Sequence, residues 1–166
     1  MSLGTDEQLQ RALELGYAYV NRRDRTVSEV RLQLERKGIS PEQTEAAIQT
    51  LSEQALLDDA RFAHLFVTDK RELEQWGNER IMRGLLARGI DRHLAATALG
   101  GEATDESGQD GGEDGELQRA LALLRRRFPQ PPQDRRERER ALGVLLRKGY
   151  ESELALDALA AHARGD

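Results

Sequence analysis

The chain has 166 residues, of which 33% are charged, 38% are hydrophobic and only 4% are aromatic, and its formal net charge is −5. It contains no cysteine, which excludes disulfides and thiolate metal sites. No stretch approaches the roughly 20 apolar residues that a membrane span needs, and the start of the chain does not resemble a secretory signal. We therefore expect a soluble, cytoplasmic protein with a core of Leu and Ala, a composition that favours helices.

Residues 6–55 show the signals of three successive helices. Apolar residues recur at helical spacing through the first of them. Thr26 and Glu29 have the spacing of a capping box, which marks the start of the second helix. Ser40 followed by Pro41 marks the start of the third, because a serine can cap a helix and proline fits its first turn. This segment is predicted to be a three-helix repeat.

Residues 57–99 show a second set of three helices. Asp58 is a candidate cap for the first, and Asp59 stands where the helix dipole favours negative charge. Gly77 interrupts the apolar pattern and separates the first helix from the second. Asp91 is a candidate cap for the third. We expect a second three-helix repeat here.

The charge is segregated along the rest of the chain. Residues 100–116 are rich in Gly and contain seven acidic residues but no basic one, so we predict a flexible acidic linker. Residues 117–163 again show three helical stretches, with a Pro-rich break at Pro129–Pro132 after the first. Arg119–Lys148 contains ten basic and three acidic residues. This excess favours an anionic partner, although part of it could be solvated surface paired with nearby carboxylates.

One helix-ending pattern occurs three times, once in each set. A Leu stands four residues before a Gly, a basic residue precedes the Gly, and an apolar residue follows it. A glycine can adopt the left-handed conformation that ends a helix, after which the apolar residue packs back on the Leu. The pattern predicts an all-α, elongated and curved array of three three-helix repeats with about nine helices. The three copies are Leu34–Ile39, Leu85–Ile90 and Leu145–Tyr150.

No pattern of catalytic or metal-binding residues stands out. His64, His93 and His162 lie in separate repeats without a second ligand at helical spacing, which disfavours a metal site. Asp58 and Asp59 could be an acid–base pair, but helix capping explains them more simply. Phosphate-binding loops and nucleophile motifs are missing. We expect no enzyme, no metal and no cofactor.

Arginines that lie off the apolar stripes are the candidate partner-binding residues. Some basic residues need no partner, because Lys37, Arg88 and Lys148 lie in the last turns of helices, where a cation complements the dipole. Trp76 has two interpretations, a plug between helices or an exposed anchor for a partner. The arginines predicted to face a protein or DNA partner are Arg22, Arg25, Arg31, Arg71, Arg80, Arg83, Arg126, Arg127, Arg135 and Arg136.

Several segments together resemble the bacterial RecX family of regulatory proteins. They are Thr26–Leu34, followed by Lys37 and Gly38, then Leu56–Ala63 and Gly77–Ile81. The resemblance extends over most of the chain and is most evident in the first two repeats. It implies a regulator that binds the RecA–DNA filament, lies in its groove and reduces the strand-exchange, ATPase and coprotease activities of RecA.

Several expectations follow about partners. RecA is the expected partner, the basic clusters could add weak contacts to the DNA backbone, and the chain is expected to be a monomer without contact to a membrane. An alternative is a helix-turn-helix-like module that binds DNA without RecA, with Asn78, Arg80 and Arg83 as the nearest reading set. A third interpretation is a passive helical scaffold that binds neither RecA nor DNA.

Overall fold

Three groups of three helices make up the part of the chain that the structure, a computed structural model, describes, namely residues 4–100 and 112–166. No strand occurs within these residues. The predicted all-α array of three-helix repeats is therefore confirmed. The helices are, in repeat 1, α1 (Thr5–Val20), α2 (Val27–Arg36) and α3 (Pro41–Glu53); in repeat 2, α4 (Asp59–Glu72), α5 (Asn78–Ala87) and α6 (Arg92–Ala98); and in repeat 3, α7 (Glu113–Arg127), α8 (Arg135–Lys148) and α9 (Ser152–Arg164).

The helices begin at the capping residues that the sequence predicts. Thr26 and Glu29 form a reciprocal capping box at the start of α2, so that two backbone N–H groups are paired. Ser40 accepts a hydrogen bond from the backbone at the start of α3, where proline occupies the first turn. Asp58 and Asp91 cap α4 and α6 in the same way.

The three predicted glycine loops share one geometry. Gly38, Gly89 and Gly149 have φ angles of +80°, +78° and +92°, which lie in the left-handed region. In each loop the N–H of the apolar residue after the glycine donates, at 3.1 Å, to the carbonyl of the Leu that stands four residues before the glycine. Both apolar side chains of each loop are buried. These bonds define Schellman motifs and confirm the predicted helix ends.

Each repeat has a hydrophobic core of its own. Leu34 and Leu51 lie at the centre of the first core, Ile81 and Leu85 at the centre of the second, and Leu145 belongs to the third. The first and third helices of each repeat pack against each other, and the middle helix packs across them. Because the helix packing lies inside the repeats, the repeats are connected mainly through the ends of their helices.

The acidic segment is partly helical, which corrects its predicted boundary. Helix α7 begins at Glu113, so residues 113–116 form its first turn and do not belong to a linker. Carboxylates are favourable there because the N-terminal end of a helix carries partial positive charge. Glu116 is also buried. Residues 101–111 lie outside the described part of the chain, and the predicted flexibility of that stretch stays a prediction.

Candidate functional site

The first junction, between repeats 1 and 2, joins the C-terminal end of α5 to the N-terminal end of α2. The Thr26 hydroxyl donates to the carbonyl of Arg88 at 2.7 Å, and the Arg88 guanidinium pairs with Glu29 at 3.1 Å. The N–H of Val27 donates to the Asp59 carboxylate at 2.9 Å. Burial raises the pKa of Asp59 above its ordinary value, against the lowering effect of this hydrogen bond.

The second junction lies between repeats 2 and 3 and joins the C-terminal end of α8 to the N-terminal end of α5. Here the two backbones are in direct contact. The N–H of Gly77 donates to the carbonyl of Lys148 at 2.7 Å, and the N–H of Glu79 donates to that of Gly149 at 3.2 Å. A Cβ atom on Gly77 would lie 2.4 Å from the Gly149 oxygen. Only glycine permits this approach.

Buried side chains reinforce the second junction. The N–H of Asn78 donates to the carboxylate of Glu116 at 2.8 Å, so that an acid of α7 caps α5 of the preceding repeat. Asp59 and Val27 stand in the same relation at the first junction. The Tyr150 hydroxyl donates to the Gln75 carbonyl at 3.3 Å, and burial raises the pKa of Tyr150 to about 12.

Trp76 belongs to the second junction. Its half-buried ring meets Phe66 edge to face, with the centroids 6.4 Å apart. The Arg80 guanidinium lies 4.1 Å from the Trp76 ring centroid and also donates to the Arg147 carbonyl at 3.0 Å. Lys70 lies 4.6 Å from the same centroid. These contacts favour the interpretation of Trp76 as a packing residue, held by two cations.

A cleft between the end of α7 and the outer face of α8 brings four arginines together. Its volume is about 500 Å³. We call it the arginine cleft. None of its four guanidinium groups forms an ion pair or hydrogen bond with another described side chain or backbone group. The cleft is lined by Arg127, Phe128, Arg136, Glu139, Arg140, Val144 and Arg147.

The start of α8 explains why this cleft occurs in repeat 3. The residue that precedes the middle helix lies 12 positions before its closing glycine in repeats 1 and 2, from Thr26 to Gly38 and from Gly77 to Gly89. Asp134, the corresponding residue of α8, lies 15 positions before Gly149. Helix α8 therefore begins almost one turn earlier, and the extra turn carries Arg136 into the cleft.

Six of the ten predicted partner-binding arginines have contacts inside the chain. Arg31, for example, forms a hydrogen bond with Glu45 that raises the pKa of Arg31 and lowers that of Glu45. The six, each with its main contact, are Arg25 with the Tyr19 ring, Arg31 with Glu45, Arg71 with Asn78 and Leu99, Arg80 with Trp76 and Arg147, Arg126 with Gln75, and Arg135 with Glu139.

The other four predicted arginines, Arg22, Arg83, Arg127 and Arg136, are exposed. Of these four, Arg127 and Arg136 lie together in the arginine cleft. The cleft also contains two arginines that were not among the predicted ones. Those residues, Arg140 and Arg147, follow Arg136 by four and eleven positions, a spacing that places all three on one helix face. This spacing was the signal that could have identified them. The binding role of the ten arginines stays a prediction.

The histidines are distributed as the sequence suggested. His64 and His93 are exposed, whereas His162 is buried and its Nε2 lies 2.8 Å from the carbonyl oxygen of Phe128. Within the described ranges, no three His, Asp or Glu side chains converge as a metal site would require. None of the helices in these ranges is both long and apolar enough to cross a membrane.

The fold defines a class of protein, a tandem repeat of three-helix units. Comparison with known protein families identifies the family within this class. Three family models match, described as the first, second and third three-helix domains of RecX, over residues 12–51, 58–99 and 114–159. The chain belongs to the RecX family.

Similar proteins carry the name regulatory protein RecX. That of Amycolatopsis mediterranei is 32% identical over 155 residues, which cover 92% of this chain and 83% of the relative. That of Halorhodospira halophila is 34% identical over 146 residues, covering 87% and 84%. These relatives support a regulatory role for the family.

A solved structure supports the fold. The crystal structure of RecX from Lactobacillus salivarius superposes with a TM-score of 0.79 at 19% identity, covering 97% of this chain and 99% of the other. A second RecX crystal structure gives a TM-score of 0.73 at 22% identity, covering 93% of this chain and 74% of the other. At these identities the likeness concerns the fold alone.

Proposed function

We propose that this chain regulates the RecA recombinase by binding the RecA–DNA filament and lowering its strand-exchange, ATPase and coprotease activities. Membership of the RecX family supports a regulatory role. The observation that carries the proposal is the pair of junctions, which join three similar repeats end to end through their middle helices. The result is an open series of similar surfaces and not a closed pocket.

Such a series suits a polymeric partner. A filament presents copies of one subunit surface at regular intervals, and three similar repeats can contact successive copies. Once one repeat is bound, the next binds at a high effective concentration, so individually weak contacts combine into firm binding. Binding across neighbouring RecA subunits would oppose filament extension and rearrangement, which accounts for inhibition without any catalytic group.

The unpaired arginines are the residues that we propose to face the partner. Arg22, Arg83, Arg127 and Arg136 are exposed and have no ion pair with another described residue, so binding a partner through them breaks no contact inside the chain. The other six predicted arginines already hold positions in the fold. We also propose that the protein is a cytoplasmic monomer that needs no cofactor.

RecA-dependent strand exchange and DNA-stimulated ATP hydrolysis test the proposal. Purified protein is added over ratios from far below one per RecA to equimolar, and both activities should fall. Inhibition at ratios far below one indicates that the protein caps filament ends, whereas inhibition near equimolar indicates binding along the groove. Unchanged activity at equimolar protein rejects the proposal.

A matched pair of variants tests the arginines. Replacing Arg127 and Arg136 by Glu should raise the concentration needed for half-inhibition roughly tenfold, because two proposed charge-assisted contacts become repulsive. Replacing both by Lys keeps the charge and should have a much smaller effect. Equal effects of the two double variants would mean that charge at these positions does not determine binding.

The alternative of a DNA-binding module that acts without RecA finds less support. In its nearest reading set, the Asn78 side chain accepts a hydrogen bond from Arg71, and Arg80 contacts the Trp76 ring and the Arg147 carbonyl. Arg83 is the member of the set that stays exposed. Sequence-selective binding to duplex DNA in the absence of RecA would favour this alternative. Absence of both RecA binding and DNA binding would favour the passive scaffold.

A further inference from the structure

The arginine cleft concentrates positive charge that the protein itself does not neutralise. Its one carboxylate, Glu139, is already paired with Arg135 at 2.8 Å. By contrast, Arg31 and Arg88 pair with carboxylates of their own repeat or of its neighbour. Four like charges around one cavity repel one another, and an anion that enters the cavity relieves the repulsion.

From this geometry we infer that the arginine cleft binds a segment of single-stranded nucleic acid, with a backbone phosphate between the guanidinium groups and the adjoining base against Phe128. Guanidinium groups match phosphate oxygens through paired hydrogen bonds. A volume of about 500 Å³ leaves room for more than one small anion. Phosphate and base thus account for both the charge and the size of the cleft.

The walls of the cleft distinguish nucleic acid from an acidic polypeptide. Phe128, which is half-buried against the core of repeat 3, lines the cleft beside the arginines, and the buried Val144 lies next to it. The cleft therefore offers some apolar surface beside positive charge. Aromatic side chains next to basic residues are the usual platform for bases of single strands, which stack with little sequence preference. The carboxylate groups of an acidic peptide gain nothing from an aromatic wall, because the face of the ring is itself partly negative. In a duplex the bases are stacked on one another and cannot reach Phe128.

The cleft is held in place from two sides. The carbonyl of Phe128 lies 2.8 Å from Nε2 of the buried His162 in α9, which fixes the end of α7. The carbonyl of Arg147 accepts a hydrogen bond from Arg80 of repeat 2. A site whose walls are already positioned loses less conformational entropy when it binds a ligand. This inference goes beyond the proposed function, because it requires no RecA.

Fluorescence anisotropy of a labelled oligothymidylate of about 20 nucleotides, titrated without RecA, tests the inference. Replacing Arg136 and Arg140 by Glu should weaken binding at least about tenfold at low salt. It should also reduce the slope of log affinity against log salt by about one to two, because phosphate contacts are lost. The matched control replaces Arg11 and Arg23, two exposed arginines of repeat 1 outside the proposed binding set, by Glu. This equal change of charge should weaken binding less than about threefold.

A second variant separates stacking from charge. Phe128→Leu keeps an apolar side chain in the core of repeat 3 but removes the aromatic face. It should weaken oligothymidylate binding about fivefold or more without changing the salt slope. Far-ultraviolet circular dichroism establishes that each variant retains the helicity of the native chain.

Three results would overturn the inference. The first is a wild-type chain that does not bind oligothymidylate at low salt. The second is an equal loss of affinity in the two charge-reversal variants, because only net charge would then matter. The third is a polyglutamate of matched charge that competes as well as unlabelled oligothymidylate, which would assign the cleft to an acidic polypeptide. The strand-exchange assay measures inhibition of RecA separately, so a chain that inhibits RecA without binding oligothymidylate would contradict this inference alone.

Discussion

The two junctions join the same ends of the middle helices but differ in the chemical groups that make the contact. At the first, side chains mediate the contact, because a Thr26 hydroxyl reaches the carbonyl of Arg88 and Asp59 accepts from α2. At the second, Gly77 replaces threonine as the residue before the helix, and the two backbones bond directly. The loop glycine is exposed at the first junction (Gly89) and buried at the second (Gly149).

The difference between the junctions implies that the stiffness of this repeat protein varies along the chain. Side-chain bridges tolerate small movements, because rotamers can follow them, whereas direct backbone bonds fix both distance and direction. Buried hydrogen bonds are also the last to open in local fluctuations. Repeats 2 and 3 are therefore expected to move as one body, with repeat 1 more loosely joined to them.

The largest expected effect comes from forcing the second junction apart. Gly77→Ala places a Cβ atom 2.4 Å from the Gly149 oxygen and 2.5 Å from the Tyr150 nitrogen, both backbone atoms that cannot turn aside. Because overpacking adds to the loss of two backbone hydrogen bonds, we expect about 3 kcal/mol of destabilisation. Urea unfolding followed by circular dichroism and by Trp76 fluorescence measures it.

Gly4→Ala is the matched control for this substitution. Gly4 also precedes a helix, but an added Cβ meets nothing within 4 Å. A loss of less than about 1 kcal/mol is expected there, because alanine is a poorer cap residue than glycine. If both variants unfold at the same urea concentration, the close backbone approach at Gly77 contributes nothing to stability.

Alkaline pH should weaken the second junction in particular. The pKa of Tyr150 is raised by burial to about 12, from an ordinary value of 10.0. The unfolded chain therefore loses this proton at lower pH than the folded chain, and stability that is complete below about pH 10 is lost as the pH rises towards 12. At about 1.4 kcal/mol per pH unit, the loss approaches 2–3 kcal/mol.

Tyr150→Phe tests this loss, since phenylalanine cannot ionise. The variant should lose only the weak hydrogen bond to Gln75 at neutral pH and should show a flatter decline of unfolding free energy above about pH 10. Tyr17→Phe, which retains Tyr150, serves as the control and should keep the steep decline. The hypothesis fails if both variants decline alike.

The smallest expected effect concerns Asp59 at the first junction. Burial raises the pKa of Asp59 above 3.8, so its contribution to stability is complete below that pH and is lost as the pH rises through the raised value. Asp59→Asn cannot ionise and can still accept from Val27. It should be more stable than the wild type at pH 7 by less than about 1 kcal/mol and equally stable near pH 3.

Asp59→Ala completes this comparison. It removes the acceptor of the Val27 N–H altogether, and we expect about 1 kcal/mol of destabilisation at pH 7. Unfolding free energies of the two variants and the wild type, measured at both pH values, check the sign. An Asn variant as unstable as the Ala variant at pH 7 would contradict the raised pKa.

The sequence predicted those parts of the fold whose signals are local. A capping box spans four residues and a Schellman loop six, so Thr26, Asp58 and the loop glycines could be assigned without knowledge of the fold. The order of helices follows from these signals. The repeated loop also predicted the array, because one pattern in three places indicates one unit in three copies.

Contacts between repeats could not be predicted in this way. Glu116 lies in an acidic, Gly-rich stretch whose composition indicates a linker, yet its carboxylate caps α5 of the preceding repeat. Nothing near Glu116 in the sequence identifies Asn78 as its partner. The arginine cleft was not predicted as a site. Two of its residues, Arg127 and Arg136, were among the predicted partner-binding arginines, but the assembly of the cleft depends on how α7 meets α8.

The early start of α8 also bears on how separate molecules meet. Each junction joins the end of one middle helix to the start of another. If the free end and the free start of the whole chain matched in the same way, molecules could add to one another without limit, as in a growing fibre. In repeat 3 the start of the middle helix is displaced by about 4.5 Å along its axis relative to the other repeats. The two ends consequently do not match, and we expect that the contact linking the repeats does not form between separate molecules.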